Sequence, residues 1–129
     1  MISVNPDQLS SHLGLLREAI RILDDKQAVN IRALCVEKQT SLCNYFIICE
    51  GRSNTHVSAL ADAVIEALGL AGIHPLHTEG IKEGIWIALD YASVIIHIFD
   101  RVNREFYNLE NLWRDGKELS VPELLRISD

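Results

Sequence analysis

Three groups of residues carry side chains or turns that do chemistry. Gly51-Arg52-Ser53 joins an apolar run to a helix-like stretch, and a Gly-Ser turn at a helix start offers backbone N–H groups to a phosphate. In nucleotidyl transfer such a turn cradles the phosphates while two carboxylates on a nearby strand hold divalent metal. Here Asp90 stands alone, with Ala88 and Ala92 at the flanking same-face positions. A single carboxylate holds Mg²⁺ weakly and builds no two-metal site. The plainer reading of the turn is a helix cap. His74-x-x-His77 with Glu79 has metal-ligand residue types, but Pro75 disfavours a helical turn. In extended chain the two imidazoles point to opposite faces. Cys35, Cys43 and Cys49 are odd in number and fit no C-x-x-C spacing, so they read as free thiols of a reducing, cytoplasmic compartment. Gly-x-Ser-x-Gly fails because residue 55 is Thr, and P-loop and dinucleotide fingerprints are absent. The expectation is a protein without catalysis, metal or cofactor.

A different stretch carries the stronger signal. Residues 84–99, from Gly84 to Phe99, are two apolar, β-branched runs separated by a short polar joint, the pattern of a β-hairpin. A two-residue loop at Tyr91-Ala92, or a four-residue loop from Asp90 to Ser93, sets Leu89 opposite Val94. Ile87, Leu89, Val94, Ile96 and Ile98 then share one face and belong to the core. Trp86, Ala88, Ile95, His97 and Phe99 share the other, with Trp86 directly opposite His97. An amphipathic pair of that kind suits a surface that binds something. Alternatively a helix covers this face and His97 is a hydrogen-bonded core residue.

The elements around the hairpin follow from periodicity. Asn5-Pro6-Asp7-Gln8 reads as a helix start, followed by the stripe Leu9, Leu13, Leu16, Ile20 and Leu23. Ile31–Val36 and Tyr45–Cys49 read as strands, the second apolar on both faces and therefore central. Ser53 or Asn54 caps a helix with the stripe Val57, Leu60, Ala61, Val64 and Leu68. The His74–Glu79 segment is an edge strand or a loop. Asn103 is expected to cap a last helix with Phe106, Leu109, Leu112 and Trp113 along one side. Tyr107 and Glu110 fall on a neighbouring side, part of the hairpin's surface or simply solvated. The polar tail from Arg114 to Asp129 is either a small docked helix or a frayed end.

Composition limits the partners. A chain of 129 residues is one domain able to bury about two-thirds of its unfolded surface. A net charge of −6 argues against a basic surface gripping nucleic-acid phosphates, so no direct DNA binding is expected. It permits a basic protein partner. There is no signal-peptide pattern and no apolar run of the ~20 residues a membrane helix needs, so no membrane partner is expected. The fold class expected is α/β, a mixed β-sheet covered by helices.

From about Leu15 to Trp113 the chain resembles the Iojap family, the bacterial ribosomal silencing factors. The resemblance rests on motifs in order: Leu23-Asp24-Asp25-Lys26, Asn44-Tyr45-Phe46-Ile47-Ile48, Gly51-x-Ser53 and Glu79-Gly80. Trp86-Ile87-Ala88-Leu89-Asp90-Tyr91, Val94–Phe99, and Arg104-Glu105-Phe106-Tyr107-x-Leu109-Glu110-x-Leu112-Trp113 complete it. Asn44 stands where the family has Asp, Ala92 where it has Gly, and Glu50-Gly51 where it has Thr-Gly or Ser-Gly. Ala92 weakens the expectation of a positive-φ turn at the hairpin tip.

The resemblance implies one Iojap-like domain over 1–113, a tail over 114–129, and a degenerate nucleotidyltransferase fold without catalytic carboxylates. It implies binding to the large ribosomal subunit through its protein fourteen, blocking subunit joining when nutrients are short. A large-subunit assembly factor is the alternative, and a residual nucleotidyltransferase a weaker one. The implied partner surface is the hairpin and nearby segments. On physical grounds Trp86 is its expected anchor, with His97 and Tyr91 adding hydrogen bonds, Phe99 apolar area, and Glu79 and Asp90 charge toward a basic partner. The alternatives are Trp86 as core filler, Tyr91 as turn packing and Phe99 as the lid of the core. A symmetric homodimer is one way the free protein would cover such a face.

Overall fold

Two helices, α1 (His12–Asp25) and α2 (Asn54–Leu70), lie on one face of a mixed six-stranded sheet, and the apolar period of each accounts for that placement. The computed structural model describes residues 11–126. In α1, Leu16, Ile20 and Leu23 of the expected stripe are buried, joined by Leu15, Ala19 and Ile22. Leu13, in the first turn, is 42% exposed. The Ser11 hydroxyl accepts from the Gly14 N–H at 2.9 Å and caps this helix; the Asn5–Gln8 start and Leu9 lie outside the described residues. In α2 all five expected stripe residues are buried, and Ser53 is the cap.

The strands are β1 (Val29–Cys35), β2 (Tyr45–Gly51), β3 (His77–Glu79), β4 (Trp86–Asp90), β5 (Val94–Asp100) and β6 (Lys117–Leu119), in the order β3-β4-β5-β2-β1-β6. β2 and β5 run parallel at the centre, and every other pair is antiparallel. Ile47, Cys49, Ile87, Leu89, Val94, Ile96 and Ile98 meet α1 and α2 in the main core. Leu34, Phe46, Ile48 and Phe99 form a second, smaller core on the opposite face, under α4 (Leu109–Leu112). The α/β class read from the sequence is the class observed.

The hairpin differs from expectation in register. Trp86 pairs with Phe99, Ala88 with His97 and Leu89 with Ile96, so Trp86 is not opposite His97. The strands continue to Tyr91 and Val94, whose backbone bond (Tyr91 N–H to Val94 O, 2.9 Å) moves the tip to Ala92-Ser93. That slip of two residues leaves both faces unchanged, since side chains alternate with period two. Ala92 adopts φ +69° despite its Cβ, against the weakened expectation there. Its N–H is held by the Asp90 carboxylate at 2.8 Å, and the Ser93 N–H donates to the Tyr91 carbonyl at 2.9 Å.

After β5 the last helical stretch is also organised differently. Asp100, not Asn103, is the cap: its carboxylate accepts the Asn103 N–H at 2.8 Å, so α3 (Arg101–Tyr107) starts three residues earlier. Asn108, at φ +47°, then breaks the helix before α4. The expected single stripe is divided there, and only Leu109 is buried, while Phe106 and Leu112 face solvent. Beyond Trp113, β6 pairs with β1, and α5 (Val121–Arg126) buries Leu124 against the main core.

Candidate partner-binding face

The face opposite α1 and α2 is only half covered. α4 shields its β1–β2 half, and the β3–β4–β5 half presents Trp86, Ala88 and Ile95 partly open to solvent. Register places His77 and Glu79 of β3 on this same face, opposite Asp90 and Ala88. Five of the six residues expected at the partner surface therefore share one face: Glu79, Trp86, Asp90, His97 and Phe99. Tyr91 does not. It continues the Ile87–Leu89 side and is buried in the main core, its hydroxyl without a partner among the described residues.

Trp86 is held from three sides. Its indole stacks on Phe99 (centroids 4.9 Å apart, 26° between planes) and meets the Tyr107 ring at 4.8 Å. Its Nε1–H donates to Nδ1 of His97 at 3.1 Å. The acceptor role fixes the His97 tautomer, so the ring proton sits on Nε2, which is buried without an acceptor among the described residues. Burial lowers the His97 pKa to about 4, so the ring is neutral at pH 7. Phe46 packs edge-on against His97, and Trp113 against Phe46. The result is a row of rings that emerges from the small core: Trp113, Phe46, His97, Trp86, Tyr107, Phe106.

The sequence leaves Tyr107 open between the hairpin's surface and a solvated side, and it sets Phe106 on a different side of the last helix. Phe106 is 77% exposed and Tyr107 47%, with Phe106 edge-on to Tyr107 at 5.1 Å. Val102, Ile81 and Ile85 are exposed as well, and the Ile85 carbonyl accepts from the Asp100 N–H beside the start of α3. Glu110, the other residue left open by the sequence, turns inward to Arg104 and Arg32. Burial raises its pKa, but the hydrogen bonds and charges of the two arginines outweigh that and leave it lowered. Gly80 fits the back of the face closely: at φ +76°, a Cβ there would lie 2.0 Å from the Trp86 carbonyl oxygen.

The groups that could do other chemistry are engaged elsewhere. In the Gly51–Ser53 turn the Arg52 N–H donates to His56 Nδ1 at 2.9 Å, and the His56 N–H to the Ser53 hydroxyl at 3.1 Å. His56 Nε2 in turn bonds the Lys26 carbonyl at 3.0 Å. Those two N–H groups are not free for a phosphate, and Gly51 is required because a Cβ would approach the Val57 nitrogen to 2.7 Å. Asp90 is committed to the hairpin tip. His77 bonds Glu79 at 2.6 Å, and no group of three or more potential metal ligands occurs among the described residues. Burial pushes the thiols of Cys43 and Cys49 up to about 11 and about 12, which keeps them protonated and poor nucleophiles. No helix among the described residues is long and apolar enough to cross a membrane.

Fold and face together define a mixed-sheet α/β domain with an exposed aromatic row on the face opposite α1 and α2. Residues 9–128 match the family model described as ribosomal silencing factor during starvation, and the chain belongs to that family, the Iojap/RsfS family. The match runs past Trp113, where the motif resemblance ends, and takes in β6 and α5. The chain is 37% identical over 103 residues to the ribosomal silencing factor of Bacillus subtilis, covering 80% of this chain and 87% of the relative. It is 26% identical over 120 residues to the chloroplastic protein Iojap of maize, covering 93% of this chain and 52% of that protein. A crystal structure of a Chromobacterium violaceum protein superposes with a TM-score of 0.79 at 33% identity, covering 85% of this chain and 91% of the other. One from Bacillus halodurans gives 0.74 at 31%, covering 82% and 96%.

Proposed function

We propose that this chain represses translation by seating the Trp86–Tyr107–Phe106 row on the large ribosomal subunit, at its protein fourteen, so that the small subunit cannot join. Family membership supports the ribosomal setting. The face supplies the means: exposed aromatic area at the centre and the carboxylates of Glu79 and Asp90 on the same side, for a basic partner. A net charge of −6 favours ribosomal protein over ribosomal RNA as the direct contact.

The observation that carries the reading is the way Trp86 is held. Its ring is fixed by Phe99, Tyr107 and His97 while part of it stays open to solvent, so docking would cost little side-chain freedom. His97 and Phe99 act from beneath as its support, since both are buried. In the free protein a second copy would cover the same apolar face.

The test is cosedimentation of wild type, Trp86→Ala and Phe106→Ala with purified large subunits, each variant first shown to be folded by its thermal melt. Truncating a central aromatic anchor costs about 2 kcal/mol or more, roughly thirtyfold in affinity. Loss of binding in folded variants supports the face. Equal binding by all three moves the contact elsewhere on the chain. Absence of wild-type binding removes the reading, and heat release on titration with ATP or GTP and Mg²⁺ would reopen nucleotidyl transfer.

A further inference from the structure

The helix that presents Phe106 and Tyr107 buries no apolar residue of its own; its apolar hold on the sheet is the half-exposed Tyr107 ring, which rests on Trp86. The buried residue of α3 is Arg104, while Val102, Phe106 and Tyr107 are all exposed. The buried tie between this helix and the sheet is therefore a cation. Arg104 Nη1 donates to the Asn30 carbonyl at 2.7 Å and to Glu50 Oε1 at 3.1 Å, both on the sheet side. Asn30 has its carbonyl available because β1 bulges between Val29 and Arg32, with Asn30 at φ +50°. On the helix side, Nε and Nη2 of Arg104 take the two oxygens of Glu110 at 3.2 Å each, the paired fork a guanidinium makes with a carboxylate.

That geometry spans the helix break. Glu110 lies beyond the left-handed Asn108 and returns to Arg104, so one side chain ties the segments before and after the break to the sheet beneath. From Glu110 the chain of charges continues to Arg32 at 3.1 Å, and Arg32 grips both oxygens of Glu118 on β6 at 2.9 and 2.7 Å. A buried ion pair contributes little net stability after desolvation; removing one partner leaves the other charge buried and unpaired, and in some proteins such a pair fixes one arrangement of its partners. Tyr107 lies three residues from Arg104, on the next turn, and its ring rests on Trp86.

We infer that Arg104 is the positioning residue of the docking face: by clamping Glu50 and Glu110 together it sets the seat of α3, and with it the contact of Tyr107 on Trp86. The consequence for partner binding rests on the function proposed above; the consequence for the Trp86–Tyr107 contact does not. Lysine would not replace it, since one ammonium cannot make the fork to Glu110 and reach Glu50 at once.

The test uses the indole N–H resonances of the full chain, two in number, with Trp113→Phe assigning the pair. Tyr107→Leu, which removes the ring over Trp86, marks the shift of an uncovered indole. Arg104→Gln, Arg104→Lys and Glu110→Gln are each expected to move the Trp86 resonance toward that position, while methyl resonances of the α1–α2 core stay in place. Binding to purified large subunits should weaken roughly tenfold in the same variants. If Arg104→Gln does not fold, Glu110→Gln decides the matter with Glu50 still paired. A Trp86 resonance that stays at its wild-type position in folded Glu110→Gln and Arg104→Lys proteins overturns the inference. Wild-type protein that ignores large subunits would overturn the ribosomal reading instead, and the indole shift would still decide the role of Arg104.

Discussion

Trp86 donates its indole N–H to Nδ1 of His97 at 3.1 Å although the two residues are not partners across the hairpin; Phe99 is the direct neighbour of Trp86, and His97 is the diagonal one. The diagonal reach is within the span of two aromatic side chains on one sheet face. It gives the exposed indole a fixed orientation and removes its N–H from any exchange with a partner. It also makes the orientation depend on His97 remaining neutral, because a protonated imidazole has no acceptor nitrogen.

That dependence predicts a pH effect of definite sign. Burial lowers the His97 pKa from 6.5 to about 4 in the folded chain. As pH falls from about 6.5 to about 4, the unfolded state takes up this proton before the folded state does, so stability declines across that window. Above it the His97 contribution is constant, and below it no further loss comes from this group. The loss amounts to about 3 kcal/mol at most. Urea unfolding of wild type and His97→Gln at pH 7 and pH 4.5 checks this. The wild type should lose more stability between the two than the variant, and equal losses would show that His97 does not carry the effect.

The hairpin tip predicts a stabilising substitution. Ala92 holds φ +69° with a Cβ in place, a conformation that costs an L-residue about 1–2 kcal/mol. Glycine removes that cost but is freer in the unfolded chain by about 0.5–1 kcal/mol. Ala92→Gly should therefore stabilise the fold by about 0.5–1 kcal/mol, a rise in melting temperature of about 2–5 °C. A calorimetric scan checks it, and an unchanged or lower midpoint would mean that the tip relaxes around Ala92 at no cost.

The strands and faces were legible because their signal survives error. The hairpin register is off by two, yet Ile87, Leu89, Val94, Ile96 and Ile98 still point into the main core and Trp86, His97 and Phe99 still share the other face. The stripe of α2 was legible for the same kind of reason, five apolar residues at helical spacing. What the residues did not disclose lies after Asp100. A lone arginine in a short helix reads as solvated, and only the fold brings Asn30, Glu50 and Glu110 around Arg104. Asn108 gives no glycine signal for the left-handed break that divides α3 from α4. Lys117-Glu118-Leu119 is too short and polar to read as a strand, and it becomes one because β1 offers an open edge.

Tyr91 lies beside the proposed partner surface and not on it. Its ring packs in the main core on the helix side of the sheet, and burial pushes its hydroxyl up to about 12, leaving the neutral phenol without a hydrogen-bond partner among the described residues. A buried hydroxyl with no partner costs about 1–3 kcal/mol relative to an apolar group of the same shape. Tyr91→Phe keeps the ring and removes that cost, so the variant should be more stable than wild type by about 1–3 kcal/mol. Its binding to purified large subunits should match wild type, because the hydroxyl faces away from Trp86 and Tyr107. Chemical denaturation alongside cosedimentation measures both. A destabilised Tyr91→Phe would reveal a bonded hydroxyl in the folded protein, and a stable variant that no longer binds would put Tyr91 in contact with the partner, extending the docking surface around the hairpin tip.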